Sequence, residues 1–254
     1  MSKEATKPNQ TSKTKLTTVP TNLKARIKAS YDAIAPKYAQ EFTKPDDELR
    51  LDYLNRLLTL LQPPANTNNA NDNKAPTASI LELGCGAGIP ATKTLLSSTH
   101  PTINVTGNDI STTQLALARK NLSEYSNSDR ITLLDGDMLS LTFPPASFDA
   151  ITAFYSIIHL PRAEQTQLVA KIAEWLKPGG YLLANFSAAA MERLEEETWL
   201  GHERGWMFWS GWGEQGSVNM VESVGLRVLV RDVRQAVGDE AFVWVLARKE
   251  GGAD

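Results

Sequence analysis

From Ser79 onward, short apolar runs alternate with segments of helical period. Runs that suit strands fall near 80–84, 103–109, 131–135, 148–154, 180–187, 226–233 and 241–248. Helical patterns fall near 90–98, 112–123, 161–176 and 214–224. Strand and helix in alternation predict right-handed crossovers and a parallel sheet with helices on both faces. The last two strands have only a loop containing Gly238-Asp239 between them, so they must pair antiparallel. Upstream, residues 21–61 read as two helices. Ile27, Tyr31, Ile34 and Tyr38 recur at helical spacing on the first, with Pro36 bending or dividing it; Leu49, Tyr53, Leu57, Leu58 and Leu61 form a stripe on the second. Residues 188–200 read as a further helix whose glutamates, Glu192, Glu195, Glu196 and Glu197, face solvent. Residues 1–20 have almost nothing to bury and read as a disordered tail, and 62–78, with five asparagines and three prolines, as a low-complexity linker. This leaves 79–254 as the main domain, with 21–61 as a helical addition.

Composition narrows the class. The 254 residues are 42% apolar, enough to bury a sizeable core, and the net charge is −3. No general electropositive footprint marks nucleic acid as a partner. No run of 18 apolar residues predicts a membrane span, and the N-terminus has no apolar stretch of a secretory signal. The single cysteine, Cys85, allows no intrachain disulfide and points to a reducing, cytoplasmic setting. Three histidines, His100, His159 and His202, show no ligand spacing, so no metal site is expected.

The richest stretch is Ile80-Leu81-Glu82-Leu83-Gly84-Cys85-Gly86-Ala87-Gly88. An apolar run carrying one acid leads into glycines at every second position, and helix-compatible sequence follows. Glycine permits positive φ and lets a ligand lie against the main chain, and a helix start beyond it offers N–H groups to an anionic group. A dinucleotide fingerprint places its third glycine one residue later, where this chain has Ile89. The pattern E-x-G-x-G-x-G instead resembles the first motif of the class I methyltransferases that use S-adenosylmethionine. The resemblance extends over 27–248. It implies a Rossmann-like fold: a seven-stranded, mostly parallel sheet with an antiparallel C-terminal strand pair. It also implies a small-molecule branch of the family.

The resemblance assigns roles by position. The motif residues Glu82, Gly84, Cys85, Gly86 and Gly88 would surround the cofactor. Asp109, at the end of the second strand and followed by Ile110, would accept both ribose hydroxyls; the alternative is that it caps the helix from Ser111. Asp137 would meet the adenine amino group and Met138 the ring; the alternative is an ordinary Asp-Gly turn. Tyr31-Asp32-Ala33-Ile34-Ala35-Pro36-Lys37-Tyr38 is similar to a lid helix whose tyrosines sit near the methionine part, although seven-residue spacing also suits two core residues. Phe154, Tyr155 and His159 follow the fourth strand, where sites in such sheets open. His159 is the candidate general base, or else a structural bridge in its turn. Four of six tryptophans fall in Trp199–Trp212. With Tyr155, Trp206, Trp209 and Trp212 are expected to wall an aromatic or amine-bearing substrate; the alternative is a satellite apolar cluster. The function implied is methyl transfer to a small molecule, to oxygen first, then nitrogen or sulfur. The competing readings are a protein or tRNA methyltransferase, a cofactor-binding module without transferase activity, and a dinucleotide oxidoreductase.

Overall fold

The computed structural model describes residues 19–62, 76–235 and 240–251. Nearly all of the expected tail (1–20) and linker (62–78), and the loop residues Gly238-Asp239, lie outside them. The elements in chain order are α1 (Leu23–Phe42), α2 (Glu48–Leu60), β1 (Thr77–Leu83), α3 (Ala91–Ser97), β2 (Thr102–Asp109), α4 (Thr112–Asn121), β3 (Ile131–Asp135), β4 (Phe148–Ala153), α5 (Arg162–Trp175), β5 (Leu176–Ser187), β6 (Ala190–Glu196), β7 (Met207–Trp212), α6 (Gly213–Glu222), β8 (Leu226–Gln235) and β9 (Ala241–Lys249).

Seven strands form one sheet in the order β3-β2-β1-β4-β5-β9-β8. β9 alone runs against its neighbours, pairing antiparallel with both β5 and β8. The expected sheet and its reversed C-terminal pair are therefore present. Side chains alternate across the pleat, so each strand feeds two cores. Leu81, Leu83, Ile151 and Ala153 pack under Leu168, Ile172 and Trp175 of α5. Ile80, Val105, Ala150 and Leu183 face α2 and α3 through Tyr53, Leu54, Leu57 and Leu95. Burial on both faces explains why the strands read as continuous apolar runs. The Tyr53 ring stacks on Trp244 at 4.4 Å and fastens α2 to β9.

Strand order reverses at β1, with β2 on one side and β4 on the other. The crevice at the carboxyl ends there is where such sheets hold ligands. α1 lies over it as one continuous helix; Pro36 sits inside without dividing it. The N-terminal half of α1, through Leu23 and Ile27, packs on Trp206 and Phe208.

One element contradicts the sequence reading. The expected helix over 188–200 is the strand β6, paired antiparallel with β7 as a separate two-stranded sheet. Glutamate favours helices, but cross-strand pairing overrides that preference: Leu194 sits opposite Trp209, and Met191 opposite Gly211. Two-residue alternation also brings Arg193 and Glu195 together at 2.5 Å, with side chains only 9% and 10% exposed. Residues two apart on a helix do not face each other.

Candidate functional site

The loop after β1 is shaped by its glycines in different ways. Gly84 lets the chain approach Ser156, whose Cβ would lie 2.4 Å from an added Cβ. Gly88 does the same for Leu122 at 2.8 Å. Gly86 has φ +54° and nothing within 4 Å of an added Cβ. Its main chain borders open space, a cradle that any side chain would fill. Gly84 and Gly86 line a first cavity together with Tyr31, Tyr38, Asp109, Ile110, Asp137, Met138, Phe154, Tyr155 and His159. Glu82, Cys85 and Gly88 do not line it. Glu82 accepts a hydrogen bond from Thr92 Oγ1 at 2.6 Å, and burial pushes its pKa up to about 7. The Cys85 Sγ fills the space beside Gly107, and burial pushes its thiol up.

Asp109 ends β2 at the rim of this cavity. Its two carboxylate oxygens accept from the backbone N–H groups of Gly86 and Ser111, each at 2.8 Å. Burial pushes its pKa up to about 6, against the pull of those two bonds. Ser111, not Asp109, caps α4 by accepting from Gln114 N, and each Asp109 oxygen keeps a second lone pair. Asp137 accepts from Leu139 N at 3.0 Å and from Lys24 Nζ at 2.5 Å. Lys24 also reaches Glu164 at 3.1 Å, closing α1 over the cavity.

Asp32 fastens α1 a second time. It accepts from Ser111 Oγ at 2.7 Å, Thr113 N at 3.1 Å and Lys28 Nζ at 2.8 Å. Burial opposes its ionisation, but Lys28, Ser111 and Thr113 outweigh it and lower its pKa to about 2. These contacts hold the helix closed on α4.

The residues present fit a nucleoside thioether. Gly86 and Gly136 leave open space above the main chain. Ile110, Met138, Phe154 and Leu160 offer apolar walls to a planar ring. Gln114 also lines the cavity, and both of its side-chain polar atoms are buried without a partner, ready for a polar ligand.

His159 sits on the turn after β4, buried, with both ring nitrogens engaged. Nδ1 meets the carbonyl oxygen of Phe208 at 2.8 Å, and Nε2 meets the Tyr31 hydroxyl at 2.8 Å. A carbonyl only accepts, so Nδ1 carries the proton and Nε2 accepts from Tyr31. Burial pushes the His159 pKa down to about 4, only partly offset by the Phe208 bond. The imidazole is neutral at pH 7. Gln165 locks this turn to β7 by donating to the carbonyls of Leu160 and Ser210.

A second cavity of about 530 Å³ opens beside the first. Its aromatic walls include Phe42, Trp199, Trp209 and Phe242, and its charged lining includes Glu41, Asp47, Arg50, Glu195 and Glu196. Tyr31, Tyr38, Tyr155 and His159 line both cavities and mark their junction. Tyr155 stands there with φ +54°, held by its N–H bond to Asn185 Oδ1 at 2.6 Å. Such strain collects at functional sites.

Of the expected tryptophans, Trp209 reaches this cavity, whereas Trp206 and Trp212 line neither. Trp206 is buried under the Arg26 guanidinium at 3.7 Å, and Trp212 lies on the outside beside Arg162 at 4.9 Å. Strand alternation explains the split: Trp209 and Trp212 are three apart on β7 and point to opposite faces. Trp199, the first of the four tryptophans in that stretch, lines the cavity beside Trp209. Lys24, Gln114, Arg50 and Asn185 were missed. Lys24 had one signal, its position seven residues before Tyr31 on the same helix face.

Residues 80–180 match the family model of a methyltransferase domain. Over 103 residues the chain is 35% identical to the methyltransferase GfsG of Streptomyces halstedii, covering 41% of this chain and 35% of that protein. It is 33% identical to the 27-O-demethylrifamycin SV methyltransferase of Amycolatopsis mediterranei, covering 41% and 36%. The matched region thus spans about a third of the length of these curated relatives. Among solved structures, the 1,6-didemethyltoxoflavin-N1-methyltransferase of Burkholderia thailandensis superposes with a TM-score of 0.68, covering 93% of each chain at 14% identity. That likeness shows the fold.

Proposed function

We propose that the protein, whose residues 80–180 match a methyltransferase domain, transfers the methyl group of S-adenosylmethionine to a small organic acceptor. The observation that carries this reading is the junction of two cavities. The first is built on Gly86 and Asp109, and an aromatic-walled second one adjoins it at Tyr31, Tyr38, Tyr155 and His159.

When bound, the cofactor supplies a methyl group already activated on a sulfonium. The chain's own residues then have three tasks. Asp109 binds the ribose hydroxyls with its free lone pairs, and Ile110, Met138 and Phe154 hold the adenine. Tyr31, Tyr38, Phe154 and Tyr155 turn aromatic surface toward the reacting end, where it suits a cation. α1, fastened by Asp32 and Lys24, excludes water. Holding acceptor and methyl donor in line supplies roughly 7–11 kcal/mol of barrier lowering.

The acceptor enters the second cavity, where Trp199 and Trp209 suit an aromatic or amine-bearing body. Oxygen is the first acceptor atom expected, then nitrogen or sulfur. The relative named for 27-O-demethylrifamycin SV favours oxygen, and the structural neighbour named for an N1 position keeps nitrogen second. His159 is the base that carries the added proton once the acceptor has lost its own. Enclosure of the acceptor cavity by α1 and the β6–β7 pair favours a small molecule over a protein or tRNA. Calorimetry with S-adenosylhomocysteine and with NAD tests the cofactor half of this reading. Binding of the first and not the second is expected; the reverse overturns it.

A further inference from the structure

Four residues border both cavities, and two of them, Tyr31 and His159, are hydrogen-bonded to each other. The imidazole therefore has no free atom to offer an acceptor. Nδ1–H is spent on the Phe208 carbonyl, and the Nε2 lone pair is covered by the Tyr31 hydroxyl. Tyr31 lines both cavities, and its Oη keeps a second lone pair.

Building on the methyl-transfer reading, we propose that Tyr31 is a second catalytic residue: it takes the acceptor's proton on Oη while passing its own proton to His159 Nε2. The balance closes. The acceptor oxygen bonds the incoming methyl carbon as the carbon–sulfur bond breaks and its electron pair stays on sulfur. The acceptor's proton moves to Tyr31 Oη, and the former Tyr31 proton moves to Nε2. One positive charge leaves sulfur and one appears on the imidazole, so the buried site keeps its net charge throughout. The resulting imidazolium is satisfied at once, with Nδ1–H on the Phe208 carbonyl and Nε2–H on Tyr31 Oη.

The geometry around the pair keeps it in register. Gln165 and Ser210 Oγ bind the Leu160 carbonyl at 3.0 and 2.6 Å and so fix the histidine turn on β7. Tyr31 is held edge-on by Tyr38 at 5.5 Å and Trp199 at 6.1 Å. Burial keeps His159 neutral before transfer and drives it to release its extra proton once product leaves.

The test joins a spectroscopic and a kinetic readout. In the complex with S-adenosylhomocysteine, nitrogen NMR of labelled histidine should show His159 protonated on Nδ1 and accepting on Nε2. The Nε2 resonance should shift in Tyr31→Phe. The kinetic readout is the rate at which methyl-labelled S-adenosylmethionine labels an ultrafiltered small-molecule extract. Tyr31→Phe, which keeps the ring packing, should lower it about 100-fold or more, with affinity for S-adenosylhomocysteine unchanged. His159→Gln should lower it similarly, and the double variant no further, because the two act as one unit. A Tyr31→Phe rate within about threefold of wild type, additive losses, or a proton found on Nε2 overturns the relay. Wild-type protein that does not bind S-adenosylhomocysteine overturns the methyl-transfer reading itself, and the relay with it.

Discussion

Cofactor affinity should depend on pH through Asp109, and the size of the effect follows from its surroundings. The carboxyl is buried, and its pKa stands at about 6 in the protein without ligand. Each oxygen already accepts one backbone N–H at 2.8 Å and has one lone pair left for a ribose hydroxyl. Only the ionised form accepts from both hydroxyls, so binding must release a proton wherever the free protein holds one. The apparent Kd for S-adenosylhomocysteine should then be about tenfold higher at pH 5 than at pH 8, or about 1.4 kcal/mol, with most of the change below pH 6. The assay is calorimetry from pH 5 to 8 in buffers of different ionisation enthalpy, which counts the protons released. Asp109→Asn is the informative variant. Asp109→Ala would strand two buried N–H groups at about 1–3 kcal/mol each and confuse binding with folding. The asparagine should weaken binding at pH 8 by roughly 10- to 100-fold, matching about 1.5–3 kcal/mol for a charged hydrogen bond. It should also flatten the pH profile. Glu82 titrates nearby at about 7 but is turned toward Thr92, so its contribution would persist in the variant. A flat profile in wild type, or a slope in Asp109→Asn as steep as in wild type, would refute the ribose assignment.

Gly86→Ala should cost the fold only about 1 kcal/mol through its positive φ, since its Cβ meets nothing within 4 Å, yet weaken S-adenosylhomocysteine at least about tenfold; Tm and calorimetry separate the two. Trp199→Ala should raise the acceptor KM severalfold, whereas Trp212→Ala, on the outer face and 36% exposed, should leave it unchanged; equal effects would remove the aromatic wall. Asp32→Asn should speed hydrogen exchange of the α1 amides and weaken cofactor binding. The Asp32 pKa is lowered to about 2. Its hold on α4 is therefore complete above the ordinary carboxyl range near pH 4 and is lost as pH falls through 2. Unchanged exchange in the variant would show that other contacts carry the lid.

The sheet was legible because its strands are buried on both faces and their apolar runs stand out between helical periods. The reversed β9 was legible because no stretch of helical period separates it from β8 in the sequence. The residues that line the first cavity were legible because a tight glycine turn and strand-end acids are local features. The second cavity was read less well. Ala190–Glu196 carries helix-favouring glutamates, and only its pairing partner Met207–Trp212, which lies further along the chain, makes it a strand. That mistake carried into the tryptophans, whose facing depends on strand alternation: Trp199 and Trp209 line the second cavity, and Trp206 and Trp212 do not. The Tyr31–His159 bond joins residues 128 apart, and no local pattern announces such a pairing.

The central claim is methyl transfer to a small molecule, and the most direct test follows the methyl group itself. The protein is incubated with methyl-labelled S-adenosylmethionine and a cell extract, and the products are divided by ultrafiltration and analysed by mass spectrometry. Label in the small-molecule fraction, with release of S-adenosylhomocysteine, is the predicted result. Label confined to protein or RNA, or tight cofactor binding with no label transferred, would contradict it.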